Sequence, residues 1–326
     1  MVRWQSDMRL VIVGSGALGS IFAAHLAPFT NLVMLGHWTA QMSILRSQGL
    51  TMINLGGSRS HHTFSTTDKS LSIEATDIAL VLVKSYQTER AAGEIKQFLA
   101  EDGLAISLQN GLSNVDALAN VLGSARVTQG VTALGATMIE PGLVRFAGRG
   151  PTYLPFSQRS SKPVAQLSQW MNQAGMETSF ANNLKSLVWG KLAINAGINA
   201  LTALLRVPNG FLASNAQARQ LMCAAAEETA DVARALDIEL PYSDVAKRVI
   251  EVAQATAENR SSMLQDVLRG SQTEIDFING AVVRFGQSNE VPTPINNELY
   301  RLVSILPIPD PETPLAGKLD SLKSLL

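Results

Sequence analysis

The chain is poor in the residues that most often carry metal and redox chemistry. Its 326 residues include one cysteine, Cys223, and four histidines, His25, His37, His61 and His62. A single cysteine excludes a disulfide framework within the chain and a cysteine metal cluster. Cys223 lies in the helical-looking QLMCAAAEETADVARAL and reads as a small buried apolar residue. His61 and His62 are adjacent, and neighbours on a strand point to opposite faces, so joint metal ligation is not expected and no metal is assigned. A basic excess is missing too. The formal net charge is −1 and no basic run occurs, which argues against a nucleic-acid partner. No apolar run reaches about eighteen uninterrupted residues, so no membrane span is expected. The start MRLVIVGSGALGSIFAAHLA could pass for a signal peptide, but Gly14, Ser15, Gly16 and Gly19 break it with turn chemistry. A cytoplasmic location is the expectation.

What is present is ample apolar material, 46% of the residues, enough for two domains. Leu10 to Val13 reads as a buried strand leading through a glycine turn into a helix. Further strands are expected in 31–37, 77–87 and 103–111, with a helix over 88–100, and more strands and hairpins over 127–157. Strands alternating with helices imply a parallel sheet with right-handed crossovers. Past about residue 180 the patterns are helical, punctuated by Pro208-Asn209-Gly210 and Pro241. The fold expected is an α/β dinucleotide-binding domain over 1–182 and an all-α domain over 183–305. A proline-rich tail with a short helix follows at 306–326.

Gly14-Ser15-Gly16-Ala17-Leu18-Gly19 matches G-x-G-x-x-G directly after a strand and opening a helix. The first glycine permits the tight turn, the second lets a pyrophosphate approach the backbone, and the third lets helix pack on strand. The anion then meets free N–H groups at a helix N-terminus. An NAD site places an acid about twenty residues later, on the ribose 2′-hydroxyl. None occurs from Asn31 to Leu50. A carboxylate would repel a 2′-phosphate, so its absence favours NADP, with His37 or Arg46 as phosphate partners or as ordinary surface residues.

LVLVKSYQT ends a buried strand with Lys84 and ISLQNGLSN ends another with Asn110-Gly111, the strand ends where ligands of doubly wound sheets bind. Each has a plainer alternative, a surface lysine and a turn. In WGKLAINAGINALTALL, residues 189–205, Lys191, Asn195 and Asn199 recur at every fourth position, with Thr202 beyond. On a helix they form one slanting stripe among apolar faces. An unpaired buried amide or ammonium is costly, so the stripe faces water, protein partners or a ligand. A lysine among apolar residues also loses hydration of its charged form, which lowers its pKa.

GSGALGS, LVKSYQTE, LQNGLSN, WGKLAINAGINALTAL, VPNG, SSMLQD and TEIDFINGAVV, in order from about residue 8 to 304, together resemble the ketopantoate reductase (2-dehydropantoate 2-reductase) family. The resemblance implies a Rossmann domain followed by a helical domain, with NADPH and substrate between them. It implies reduction of ketopantoate to pantoate on the route to pantothenate and coenzyme A. It further implies that Lys191 is the general acid, and that Asn195, Asn199 and Asn209 hold substrate, with Ser262 on its carboxylate. Glu274 would lie near the nicotinamide ribose or substrate. Lys84 and Asn110 would contact cofactor and substrate, and Leu134 would border the nicotinamide through its backbone. The chain departs from the family at His37, where many members carry arginine, and in the tail. Two rivals remain open: a relative acting on another 2-oxo acid or a 3-hydroxy acid, and a non-catalytic NADP(H) sensor. Dimerisation through the helical half is a further expectation.

Overall fold

The computed structural model describes residues 8–158 and 161–306. The tail expected past Leu306 lies outside them. The chain divides into two compact units at Leu184/Lys185, with Asn110–Leu112 belonging to the second.

The first unit opens with β1 (Arg9–Val13), α1 (Ala17–Leu26), β2 (Asn31–Leu35), α2 (Thr39–Gln48), β3 (Leu50–Ile53), β4 (Arg59–His62), β5 (Ser65–Thr67) and β6 (Thr76–Val81). It continues through α3 (Thr88–Ile95), β7 (Leu99–Ser107), α4 (Asn114–Leu122), β8 (Val127–Gln129), β9 (Val131–Thr132), β10 (Gly135–Glu140), β11 (Leu143–Gly148), β12 (Thr152–Pro155), α5 (Lys162–Gln173) and β13 (Thr178–Ala181). The main sheet has six parallel strands in the order β5-β2-β1-β6-β7-β8. Both its faces are covered. Leu10, Ile12, Ile78 and Leu80 enter one core, while Val11, Val13, Ala79 and Val81 enter the other. That is why these strands read as continuous apolar runs and not as alternation. Strand order reverses between β1 and β6, so the crevice at their carboxyl ends is the ligand position of a doubly wound sheet. Smaller sheets, β10-β11-β3-β4 and β13-β12-β9, complete the unit.

Several boundaries differ from the sequence expectation. The helix expected over 88–100 stops at Ile95, and β7 begins at Leu99, where it pairs with Thr76 of β6. Sheet pairing overrides local helix propensity there. Strands expected to run through Lys84 and Asn110 end at Val81 and Ser107, leaving both residues on the loops that follow.

The second unit is helical: α6 (Leu184–Leu205), α7 (Asn209–Ser214), α8 (Ala216–Ala235), α9 (Val245–Ala255), α10 (Ser262–Leu268), α11 (Asn279–Ser288) and α12 (Pro294–Ser304). SQTEIDFINGAVVRFGQSN reads as helical throughout, yet it breaks into a 3-10 turn at Ile275–Phe277 before α11. Helix α6 lies at the centre of the core with Trp189, Leu192, Ala196, Leu201 and Leu204. By length and composition α6 could cross a membrane, but 78% of its apolar window is buried inside the protein. Gly197 lets α8 come close, since a Cβ there would lie 2.7 Å from the Met222 carbonyl oxygen.

Candidate active site

In the first unit the three glycines fill three different roles. Gly14 sits at φ +128°, and a Cβ on it would lie 2.8 Å from the Leu82 carbonyl carbon. Its N–H donates to the Leu35 carbonyl at 2.9 Å. The turn is thereby fixed against β2 on one side and the exit of β6 on the other. A Cβ on Gly19 would overlap the Gly14 carbonyl, so only glycine lets α1 begin this close to β1. Above Gly16 there is open space. An open approach to backbone N–H groups at the start of a helix suits a pyrophosphate, so a dinucleotide fits the residues present.

Lys84 is two residues beyond Leu82, at the start of a 3-10 turn. A buried hydrogen-bonded cluster holds its loop. Gln109 Nε2 donates to the Val83 carbonyl at 3.0 Å and to Thr88 Oγ1 at 2.8 Å. Thr88 Oγ1 lies 2.9 Å from Asn114 Oδ1, and Asn114 Nδ2 donates to Ser85 Oγ at 3.2 Å. Sequence reasoning passed over Gln109 and Asn114; both flank Asn110 in LQNGLSN, and buried polar residues on a loop were the available signal. Leu134 spends its N–H on Thr132 Oγ1 at 3.3 Å. His37 is bonded to Glu94 at 2.7 Å and Arg46 to Asp68 at 3.0 Å, so neither candidate phosphate partner stands alone.

In the second unit α6 carries Lys191, Asn195 and Asn199. Burial pulls the Lys191 ammonium down to about 8 from 10.5, and the charge of Glu274 opposes that fall. Glu274 itself is buried. Asn199 is 5% exposed, yet its side chain, like that of Asn195, finds no hydrogen-bond partner among the described residues. Thr202, next along the stripe, is satisfied internally by Ser261 Oγ at 2.7 Å. Ser261 caps α10 by accepting from the Leu264 N–H, which brings the start of α10 against α6. Ser262 makes no side-chain hydrogen bond among the described residues. Asn209 is less free: its Nδ2 donates to Thr256 Oγ1 at 2.9 Å, while its Oδ1 is buried without a partner. Asn110 joins this unit through its neighbours. The Leu112 N–H donates to the Phe277 carbonyl at 3.1 Å, and Gly111, at φ +77°, packs against Phe277 three residues past Glu274.

Two supports of α6 were not foreseen. Tyr242 donates its hydroxyl to the Gly190 carbonyl at 2.6 Å, just before Lys191. Gly190 admits this contact, because a Cβ there would meet Pro241 at 2.7 Å. From the other side Asn279 Nδ2 donates to the Ala196 carbonyl at 3.1 Å and to Asn296 Oδ1 at 2.9 Å. Asn296 is held in turn by Glu228.

This arrangement can bind a small polar molecule beside a proton donor. Residues 10–158 match the family model described as ketopantoate reductase PanE/ApbA, and residues 183–306 match the model of its C-terminal region. The chain belongs to the ketopantoate reductase family. Like its relatives in that family, it is an oxidoreductase. It is 35% identical over 301 residues to a 2-dehydropantoate 2-reductase of Halobacterium salinarum, covering 91% of this chain and 98% of that one. The crystal structure of a PanE/ApbA family ketopantoate reductase from Ralstonia eutropha JMP134 superposes with a TM-score of 0.83 at 31% identity, covering 91% and 98%. A ternary structure of D-mandelate dehydrogenase with NADH and anilino(oxo)acetate also gives 0.83, at 25% identity, covering 97% and 100%.

Proposed function

We propose that this ketopantoate reductase family member reduces 2-dehydropantoate to pantoate with NADPH, in the cytoplasm, as a step toward pantothenate and coenzyme A. The observation that carries the reading is a lysine with a burial-lowered pKa on the same helix as two side-chain amides, of Asn195 and Asn199, that the protein itself leaves unused. Such groups are retained where a ligand supplies their partners. Relatives named for this activity support the substrate. The absence of an acid between Asn31 and Leu50 supports NADPH.

The residues then divide the work. Gly14, Ser15, Gly16, Ala17, Leu18 and Gly19 would hold the pyrophosphate, with Lys84 and Leu134 toward the remainder of the cofactor. When bound, reduced nicotinamide supplies a hydride. Charge builds on the ketone oxygen as its carbon is reduced, and Lys191 stabilises that charge and delivers its proton there. The amine left behind regains a proton from water. Asn195 and Asn199 each offer a donor and an acceptor to the substrate's hydroxyl and carboxylate, and Ser262 donates to the carboxylate. Asn110 contributes to substrate and cofactor. Glu274 keeps the ammonium form of Lys191 populated.

A panel of 2-oxo acids offered with NADPH and NADH side by side tests this. The reading expects 2-dehydropantoate to be the best substrate. Turnover confined to another 2-oxo acid supports a related reductase, the outcome that the likeness to D-mandelate dehydrogenase favours. Cofactor binding without any turnover makes the protein a sensor.

A further inference from the structure

The end of β2 carries no acid in the sequence, yet the fold brings one there. Gly36 lies against the side chain of Ser15 in the glycine turn, and the Gly14 N–H donates to the Leu35 carbonyl. His37 is therefore the first side chain beyond the contact between β2 and the turn. Its Nε2 lies 2.7 Å from Oε1 of Glu94, which reaches it from α3. The Glu94 side chain is only 18% exposed, so its charge is poorly screened. The second base, Arg46, is bonded to Asp68 just past β5, one strand further from β1. Each base that could attract a 2′-phosphate is already matched by a carboxylate.

We propose that Glu94 is a specificity-determining residue for the dinucleotide. Through His37 it holds at the end of β2 the carboxylate that the local sequence lacks. A carboxylate there accepts a hydrogen bond from a ribose 2′-hydroxyl and repels a 2′-phosphate, so it narrows the preference for NADPH that the missing acid implies. This proposal rests on dinucleotide binding at the glycine turn, as described under the proposed function.

Isothermal titration of the full chain with NADPH and with NADH tests it without any turnover. In the wild type the two Kd values should fall within about tenfold of each other, since base and acid offset. Glu94→Gln keeps the shape and removes the charge. It should tighten NADPH by about tenfold, and NADH should weaken only a few-fold. Glu94→Ala should move the ratio in the same direction, which marks charge and not shape as the cause. A Kd ratio unchanged in both variants overturns the proposal, and so does a wild type that prefers NADPH by roughly a hundredfold or more. If neither dinucleotide binds the wild type, the cofactor reading falls with it. Thermal unfolding of each variant confirms that it is folded.

Discussion

The sharpest prediction concerns pH. Burial lowers Lys191 to about 8, and the neighbouring carboxylate of Glu274 holds it from falling further. A general acid works only while protonated. At pH 7 about nine-tenths of Lys191 carries its proton, and at pH 9 about one-tenth does. The rate of 2-oxo acid reduction, as kcat/KM followed by loss of reduced nicotinamide, should be level below pH 7, bend near 8 and then fall about tenfold per pH unit. An unperturbed lysine would bend near 10.5. Glu274→Gln removes the charge that favours the ammonium form, so the bend should move toward acid by about one pH unit. A profile flat to pH 10, or a bend that ignores Glu274→Gln, would refute the reasoning.

Three further outcomes follow from the packing. Glu228 accepts the N–H groups of Ile295 and Asn296 and Asn296 Nδ2, each at 2.8 Å, and burial raises its pKa against those bonds. Asn296→Leu removes three side-chain hydrogen bonds that tie α12 to α8 and α11, and urea unfolding should show a loss of about 3 kcal/mol. Gly197→Ala forces a methyl against the Met222 carbonyl oxygen and should cost about 1–3 kcal/mol in the same assay. Burial, with His25 and His61 nearby, lowers His62, so the unfolded chain binds its proton more readily. Its stabilising contribution is fully present above pH 6.5 and is lost as pH falls below that value through the lowered folded pKa. His62→Gln should flatten that acid limb in thermal unfolding measured against pH.

The features legible in the sequence were those with a local cause. A strand, three glycines and a helix follow one another within residues 9–26, and each glycine's reason is steric. The stripe of Lys191, Asn195 and Asn199 showed because helical period turns sequence spacing into a shared face. What stayed hidden depends on residues far apart in the chain. Nothing near His37 announces Glu94, and nothing near Ala196 announces Asn279 or Asn296. Thr202 has the right spacing for the stripe, but Ser261 satisfies it. The early end of α3 likewise reflects pairing of Leu99 with Thr76, a tertiary contact that propensity does not contain.

In the proposed reaction Lys191 gives its proton to the reduced substrate and has no part in holding the cofactor. Lys191→Ala, assayed for 2-dehydropantoate turnover and titrated with NADPH, tests it most directly. The kcat should fall by about 10²–10⁴ while the NADPH Kd changes less than about threefold. Turnover within a few-fold of wild type would contradict it.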